Sequence, residues 1–291
     1  MKVITAVVNN PTFIEIQYHT LRKYLHCEAG DSYEFIVFND AKTFPDFTND
    51  GDLTLRTQIT ETCRALGIQC IDIPNDHHQT QLKSAIRCAD SMNYMLRYQL
   101  AHPDKYLLLD SDMFLIADLD ITKYFSYDCA VLLQSRPDWQ LNYIWNGIYY
   151  FDIPKMKHLH LMNWNEGGGG DVGGMMASWL RAQMTGALMP STDALRWNKE
   201  QTFHTSTIYF IKHLWSCSWN ESEMPANLKT LNHYPALLAF LKEDGRNPEN
   251  GNFFCEIYDE VFLHYRAGGN WNEEGMAMHN ALSMKLKQAL L

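Results

Sequence analysis

The chain has no excess of positive charge: 24 lysines and arginines stand against 34 aspartates and glutamates, a formal net charge of -10 over 291 residues. Nucleic acid and anionic membrane surfaces both attract basic patches, so neither is expected as the main partner. An anionic ligand would have to be met by a metal ion or by local cations. Seven cysteines, at positions 27, 63, 70, 88, 129, 217 and 255, are odd in number and include no Cys-x-x-Cys pair. They predict buried thiols of a reducing compartment and exclude a zinc ribbon. No apolar run approaches the roughly 20 residues that span a bilayer, so no membrane span is expected. The opening run 3–8 ends at Asn9-Asn10-Pro11, too short for a signal-peptide core. The expectation is a soluble, cytoplasmic protein. Internal repeats and Pro/Ser-rich breaks are lacking as well, which favours one continuous domain over 1–291.

Apolar and aromatic residues are plentiful: 46% of the chain is hydrophobic and 13% aromatic, enough for a sizeable core. Eight Trp and fifteen Tyr exceed ordinary core needs, and their faces suit flat ligands such as sugars and bases. Through the first half, strand-like runs at 3–8, 33–38, 68–73, 106–109, 129–134 and 147–151 alternate with helical spacing at 12–25, 53–66 and 79–101. That rhythm predicts a mostly parallel sheet with helices on both faces and a ligand beyond the carboxyl ends of the strands. The second half is less regular. Helices are predicted at 154–162, 175–184, 199–215 and 235–243, a late strand at 261–264, and an amphipathic tail carrying Leu282, Leu286 and Leu290.

The run Tyr106-Leu107-Leu108-Leu109 delivers Asp110, Ser111 and Asp112 before Met113-Phe114-Leu115 resumes. Alternation along a strand would put both carboxylates on one side. Neighbouring carboxylates repel, and at a buried strand end they call for a divalent cation; hard oxygen ligands suit Mn²⁺ or Mg²⁺. The bland alternative is a solvated turn in which the acids cap the next element. His264 closes the late strand, two residues before Arg266 and four before Gly268-Gly269, glycines that would let backbone approach an anion. On the long helix Lys83, Arg87, Ser91 and Tyr94 form a polar stripe opposite Leu82, Ala85, Ile86, Ala89 and Leu96. Six glycines at 167–174 surround Asp171, an acid expected to be buried and functional, or else to cap the following helix. His77-His78 lacks a carboxylate at ligand spacing and reads as a surface pair.

The Asp-Ser-Asp strand, the segment Trp145-Asn146-Gly147-Ile148-Tyr149-Tyr150-Phe151, and the ending Leu263-His264-Tyr265-Arg266-Ala267-Gly268-Gly269-Asn270-Trp271 together resemble the GT-A-fold glycosyltransferases. The resemblance is nearest to glycogenin and bacterial galactosyltransferases. It implies a Rossmann-like α/β fold, with 1–154 as the nucleotide-sugar-binding half and 155–291 as the acceptor-side half. It further implies that Asp110, Asp112 and His264 hold one Mn²⁺ (or Mg²⁺) that bridges the two phosphates of the donor. Val7, Val8 and Asn9 would border the nucleoside, and Asp110 and Ser111 would also contact the donor. Arg87 would meet donor sugar or phosphate. Arg266, Gly268 and Gly269 would meet the diphosphate, Asn270 standing where relatives often carry lysine. Asn146 would bond a sugar hydroxyl, and Asp171 would face the anomeric carbon or the acceptor. The implied reaction moves a sugar from a UDP-sugar to the hydroxyl of a glycan or other acceptor, leaning to retention; Asp171 would be the base if the reaction inverts. A haloacid-dehalogenase-like phosphatase would carry its aspartates near the chain start with a Thr soon after. A nucleotidylyltransferase would need an early glycine-rich loop. A carbohydrate-binding relic of the same fold could have lost the metal ligands.

Overall fold

A computed structural model describes residues 1–27, 32–46, 48–49, 51–74, 84–184, 186–199, 202–269 and 275–291. The first half contains β1 (Lys2–Val7), α1 (Pro11–Tyr24), β2 (Leu25–His26), β3 (Glu34–Asn39), α2 (Leu55–Leu66), β4 (Gln69–Asp72), α3 (Ser84–Ala101) and β5 (Lys105–Leu109). It continues through β6 (Met113–Leu115), β7 (Leu119–Asp120), α4 (Thr122–Phe125), β8 (Cys129–Arg136) and β9 (Leu141–Asp152). Then follow α5 (Met176–Met184), β10 (Ile208–Phe210), β11 (His213–Leu214), α6 (Ala226–Lys229), α7 (Tyr234–Lys242), β12 (Glu256–Tyr258), β13 (Phe262–His264) and α8 (Gly275–Leu290).

Seven strands form the central sheet in the order β10-β8-β9-β5-β1-β3-β4. All pair in parallel except β9, which runs antiparallel to both β5 and β8. This is the Rossmann-like, mostly parallel α/β sheet that the rhythm predicts. Its inner parallel strands β1 and β5 are largely apolar because both faces are covered, whereas β4 at the edge is exposed at Gln69 and Asp72. Val3, Val7, Phe35, Val37, Leu107 and Leu109 share one core with residues of α1, α2 and α8. Their alternates Ile4, Ile36, Phe38, Tyr106 and Leu108 share the other with residues of α3 and α5. Local signals set the helix ends: the Asn10 side chain accepts from Thr12 N–H ahead of Pro11, and Gly67, at φ 67°, closes α2 in the left-handed region. A second, antiparallel sheet, β11-β12-β13-β6, stands beside the first.

Two predicted helices are absent among the described residues. Residues 154–162 form a turn and one 3-10 turn at Leu159–Leu161, because Pro154 and the left-handed His158, φ 56°, do not sustain an α-helix. Residues 199–215 instead supply β10 and β11: β-branched Thr205, Thr207 and Ile208 favour extension, and Ile208 and Phe210 bury alternately against β8. The long helix is described from Ser84; its expected start at 79–83, with Leu82 and Lys83, lies outside the described residues, as do His77, His78, Asn270 and Trp271. The stripe on α3 is not a solvated face: Arg87 and Ser91 are buried.

Candidate active site

The two aspartates meet through a turn, not through strand alternation. β5 ends at Leu109, residues 110–112 turn, and β6 leaves into the second sheet. The turn is pinned from several sides. Asp110 N–H donates to Gly147 O (2.7 Å), Met113 N–H to Asp110 O (3.1 Å), and the buried Gln17 amide on α1 reaches Asp110 O (2.7 Å) and Met113 O (3.0 Å). Ser111 N–H bonds Asp110 Oδ1 at 2.7 Å. β13 pairs with β6 so that His264 lies opposite Met113, next in chain to Asp112. His264 Nε2 stands 3.1 Å from Asp112 Oδ1, while Gly268 N–H donates to Asp112 Oδ2 at 2.8 Å. A Cβ on Gly268 would come within 2.8 Å of that carboxylate and 2.6 Å of the Phe13 ring, so glycine is required there.

One ligand atom each from Asp110, Asp112 and His264 falls within 4.8 Å of the others. Two hard carboxylate oxygens and one imidazole nitrogen form a donor set that would suit a divalent cation. Without an ion the groups compensate one another. Burial, and then the charge of Asp112, push Asp110 up to about 7. Burial would raise Asp112 too, but the charge and hydrogen bond of His264 and the Gly268 N–H outweigh it and hold Asp112 below its ordinary value. Burial would lower His264, yet Asp112 and Glu256 raise it to about 10. A divalent cation held by these residues would relieve the same carboxylate repulsion that the imidazolium charge relieves here.

These groups line a cavity of about 310 Å³. It opens at the carboxyl ends of β1, β3 and β5, where an α/β sheet binds its ligands. Val8, Arg87, Asp110, Ser111, Asp112, Asn146, Asp171, His264, Gly268 and Gly269 all lie on its wall. Three expected residues do not. Val7 is in the core, with its carbonyl taken by Asp40 N–H (2.9 Å). Asn9 is buried and braces the wall from behind, its amide donating to Gly269 O (3.3 Å). Arg266 faces away: its guanidinium donates to Ser216 Oγ (2.7 Å) and sits 4.6 Å from the Phe254 ring centre. The cause is backbone geometry, since Arg266 and Ala267 are both left-handed, φ 66° and 60°, and the chain returns to the cavity only at Ala267 and Gly268.

Asp171 is exposed, contrary to the expectation of burial, and its Oδ1 accepts from Val172 N–H (2.8 Å). It does not cap α5, which begins at Met176. Asn146 extends its amide toward Cys88 Sγ at 3.6 Å. Sequence reasoning missed Asp40 and Lys42, a buried pair 3.0 Å apart on the cavity wall. They follow β3 as Val8 follows β1, so the strand-end rule applied to β1 could have found Asp40. It also missed Asp46, the ion-pair partner of Arg87, and Glu256, for which no motif exists.

No protein-family model and no curated protein matches the chain. Among solved structures, the galactosyltransferase LgtC, determined in complex with donor and acceptor sugar analogues, is similar at 14% identity and a TM-score of 0.35, over 53% of this chain and 59% of its own. The match therefore spans under two thirds of that enzyme's length. Among the described residues no helix is long and apolar enough to cross a membrane.

Proposed function

We propose that the chain is a divalent-metal-dependent glycosyltransferase of the GT-A type, moving a sugar from a UDP-sugar to the hydroxyl of a glycan or other acceptor. The observation that carries this reading is the convergence of Asp110, Asp112 and His264 on a cavity at the carboxyl ends of the parallel strands. These residues would hold Mn²⁺ or Mg²⁺, which when bound supplies Lewis-acid stabilisation of the departing diphosphate. Val8 borders the nucleoside, and Gly268 and Gly269 the diphosphate. Arg87 and Lys42 give the far wall positive groups, each tied to a carboxylate and so fixed in place. Asn146 orients a sugar hydroxyl with its amide. Asp171, exposed and on the wall, positions the acceptor, and the departing diphosphate accepts the acceptor proton in a retaining reaction. Residues 1–154 form the nucleotide-sugar-binding half of one domain and 155–291 the acceptor-side half, with a C-terminal metal and phosphate segment. The seven free thiols suit work in the reducing cytoplasm.

Calorimetric titration with UDP and UMP, with and without Mn²⁺, tests the reading. UDP should bind at least ten-fold more tightly than UMP and only with the ion, as one charge-assisted contact contributes roughly 1.5 to 3 kcal/mol. Asp112→Ala and His264→Ala should each abolish the difference. Equal affinity for the two nucleotides in Mn²⁺ would reject the proposal. Slow Mn²⁺-dependent hydrolysis of a UDP-sugar would separate an enzyme from a carbohydrate-binding relic, and hydrolysis of simple phosphate monoesters would favour a phosphatase.

A further inference from the structure

His264 is held from both sides of its ring. Nε2 faces Asp112 Oδ1, while Nδ1 lies 2.7 Å from Glu256 Oε2 on the far side of the imidazole from the aspartates. Glu256 is only 6% exposed, and among the described residues its one ion-pair partner is His264. A buried carboxylate is costly unless it is paired and hydrogen-bonded. Here three donors meet it: Oε1 accepts from Ser216 N–H at 3.0 Å, and Oε2 accepts from the Tyr258 hydroxyl as well as from His264. The arrangement is built into strand register. Glu256 on β12 is the direct cross-strand partner of His264 on β13, so the hairpin fixes their separation. Trp145 closes the ring in edge-on, 5.1 Å between centroids, and also packs against Tyr258 at 5.5 Å.

We propose that Glu256, steadied by Tyr258, is the positioning residue that makes His264 a metal ligand. By accepting a hydrogen bond from Nδ1–H it fixes the tautomer whose Nε2 lone pair points toward the aspartates. The sequence alone gives no hint of this, because a Glu eight residues before a His has no periodic relation to it except across a hairpin. The inference rests on the metal-centre reading above.

The test is Mn²⁺ titration of the full chain without nucleotide, followed by the electron paramagnetic resonance of the free ion, with thermal melting of each variant alongside. Glu256→Gln keeps shape and one acceptor, and should weaken Mn²⁺ binding by about 10- to 100-fold in a folded protein. Tyr258→Phe leaves the Glu256–His264 contact and should weaken binding several-fold. In a His264→Ala background, Glu256→Gln should have no further effect on Mn²⁺ affinity, since its action passes through the imidazole. Wild-type affinity in a folded Glu256→Gln protein, or an equal loss with and without His264, overturns the inference. If Glu256→Gln does not fold, Tyr258→Phe decides alone: unchanged Mn²⁺ affinity overturns it, a several-fold loss supports it. Asp112→Ala distinguishes the two levels. If that variant also binds Mn²⁺ normally, the metal centre itself is wrong; if only the Glu256 variant does, the centre stands and the positioning role falls.

Discussion

Arg87 and Arg266 carry the same charge into opposite surroundings. Arg87 is buried on the cavity wall against Asp46, whereas Arg266 spends its guanidinium on Ser216 and Phe254. Arg266→Ala should therefore leave UDP affinity in Mn²⁺ within about two-fold of wild type, because charge screened and turned away adds little. A ten-fold loss by calorimetry would show that the guanidinium reaches the diphosphate after all. His213 gives a pH signature outside the site. Burial, the largest cause, pushes it down to about 4, with Nε2 on Thr192 O at 2.9 Å and the ring against Trp215. The folded value lies below the unfolded one, so the unfolded chain binds the proton more readily. Its contribution is complete above about pH 6.5 and is lost as pH falls toward 4, on the order of 3 kcal/mol in all. Denaturation midpoints of wild type and a folded His213→Gln variant should converge over that window; parallel curves would remove His213 as the cause. At this scale the sequence pointed to Asp110 and Asp112, since an acidic pair after an apolar run is a local pattern, whereas His264 joined them only through what the resemblance implies; the structure brings the three side chains together. The orientation of Arg266 was not legible, because it depends on two successive left-handed residues that no side chain announces.

Among the elements, the glycine loop is the one whose composition is most tightly explained. Gly173, at φ 90°, brings the backbone so close to β9 that a Cβ would stand 2.2 Å from Ile144 O. Gly173→Ala should lower stability by about 3 kcal/mol, strain and steric clash acting together. Gly51→Ala, at φ 76° with no atom within 4 Å of its Cβ, should cost only its backbone strain. Chemical denaturation of the pair checks this, and equal losses would mean that the loop simply moves aside. The strands and helices of the first half were readable because each buries a continuous or periodic apolar set on a sheet covered from both sides. In 199–215 the spacing of apolar residues imitated a helix, while β-branched residues and pairing with β8 decided for strand. That choice is tertiary, and β8 lies far away in sequence.

For the whole molecule, the position of the cavity follows from the sheet order, and this too was foreseeable from the βα rhythm. The joining of two sheets at the site was not. Asp110 and Asp112 lie between β5 of one sheet and β6 of the other, and His264 arrives on the strand paired with β6. An ion bound there would tie both sheets together and would find no such site in the unfolded chain. At 100 times its dissociation constant Mn²⁺ should thus stabilise the fold by about 2.7 kcal/mol, with EDTA reversing the shift. Melting curves of wild type and Asp112→Ala, with and without Mn²⁺, test this; an equal shift in both proteins would place the ion elsewhere.

The β6–β13 pairing also fixes an order of events. It closes a loop of about 150 residues, an entropic cost of about 4 kcal/mol that must be met before the pairing returns anything. On a ribosome the two aspartates emerge long before the histidine. The cluster of Asp110, Asp112 and His264 is complete only once the β12–β13 hairpin docks on β6. Until that docking, Asp110 and Asp112 lack the imidazole that offsets the repulsion between their carboxylates.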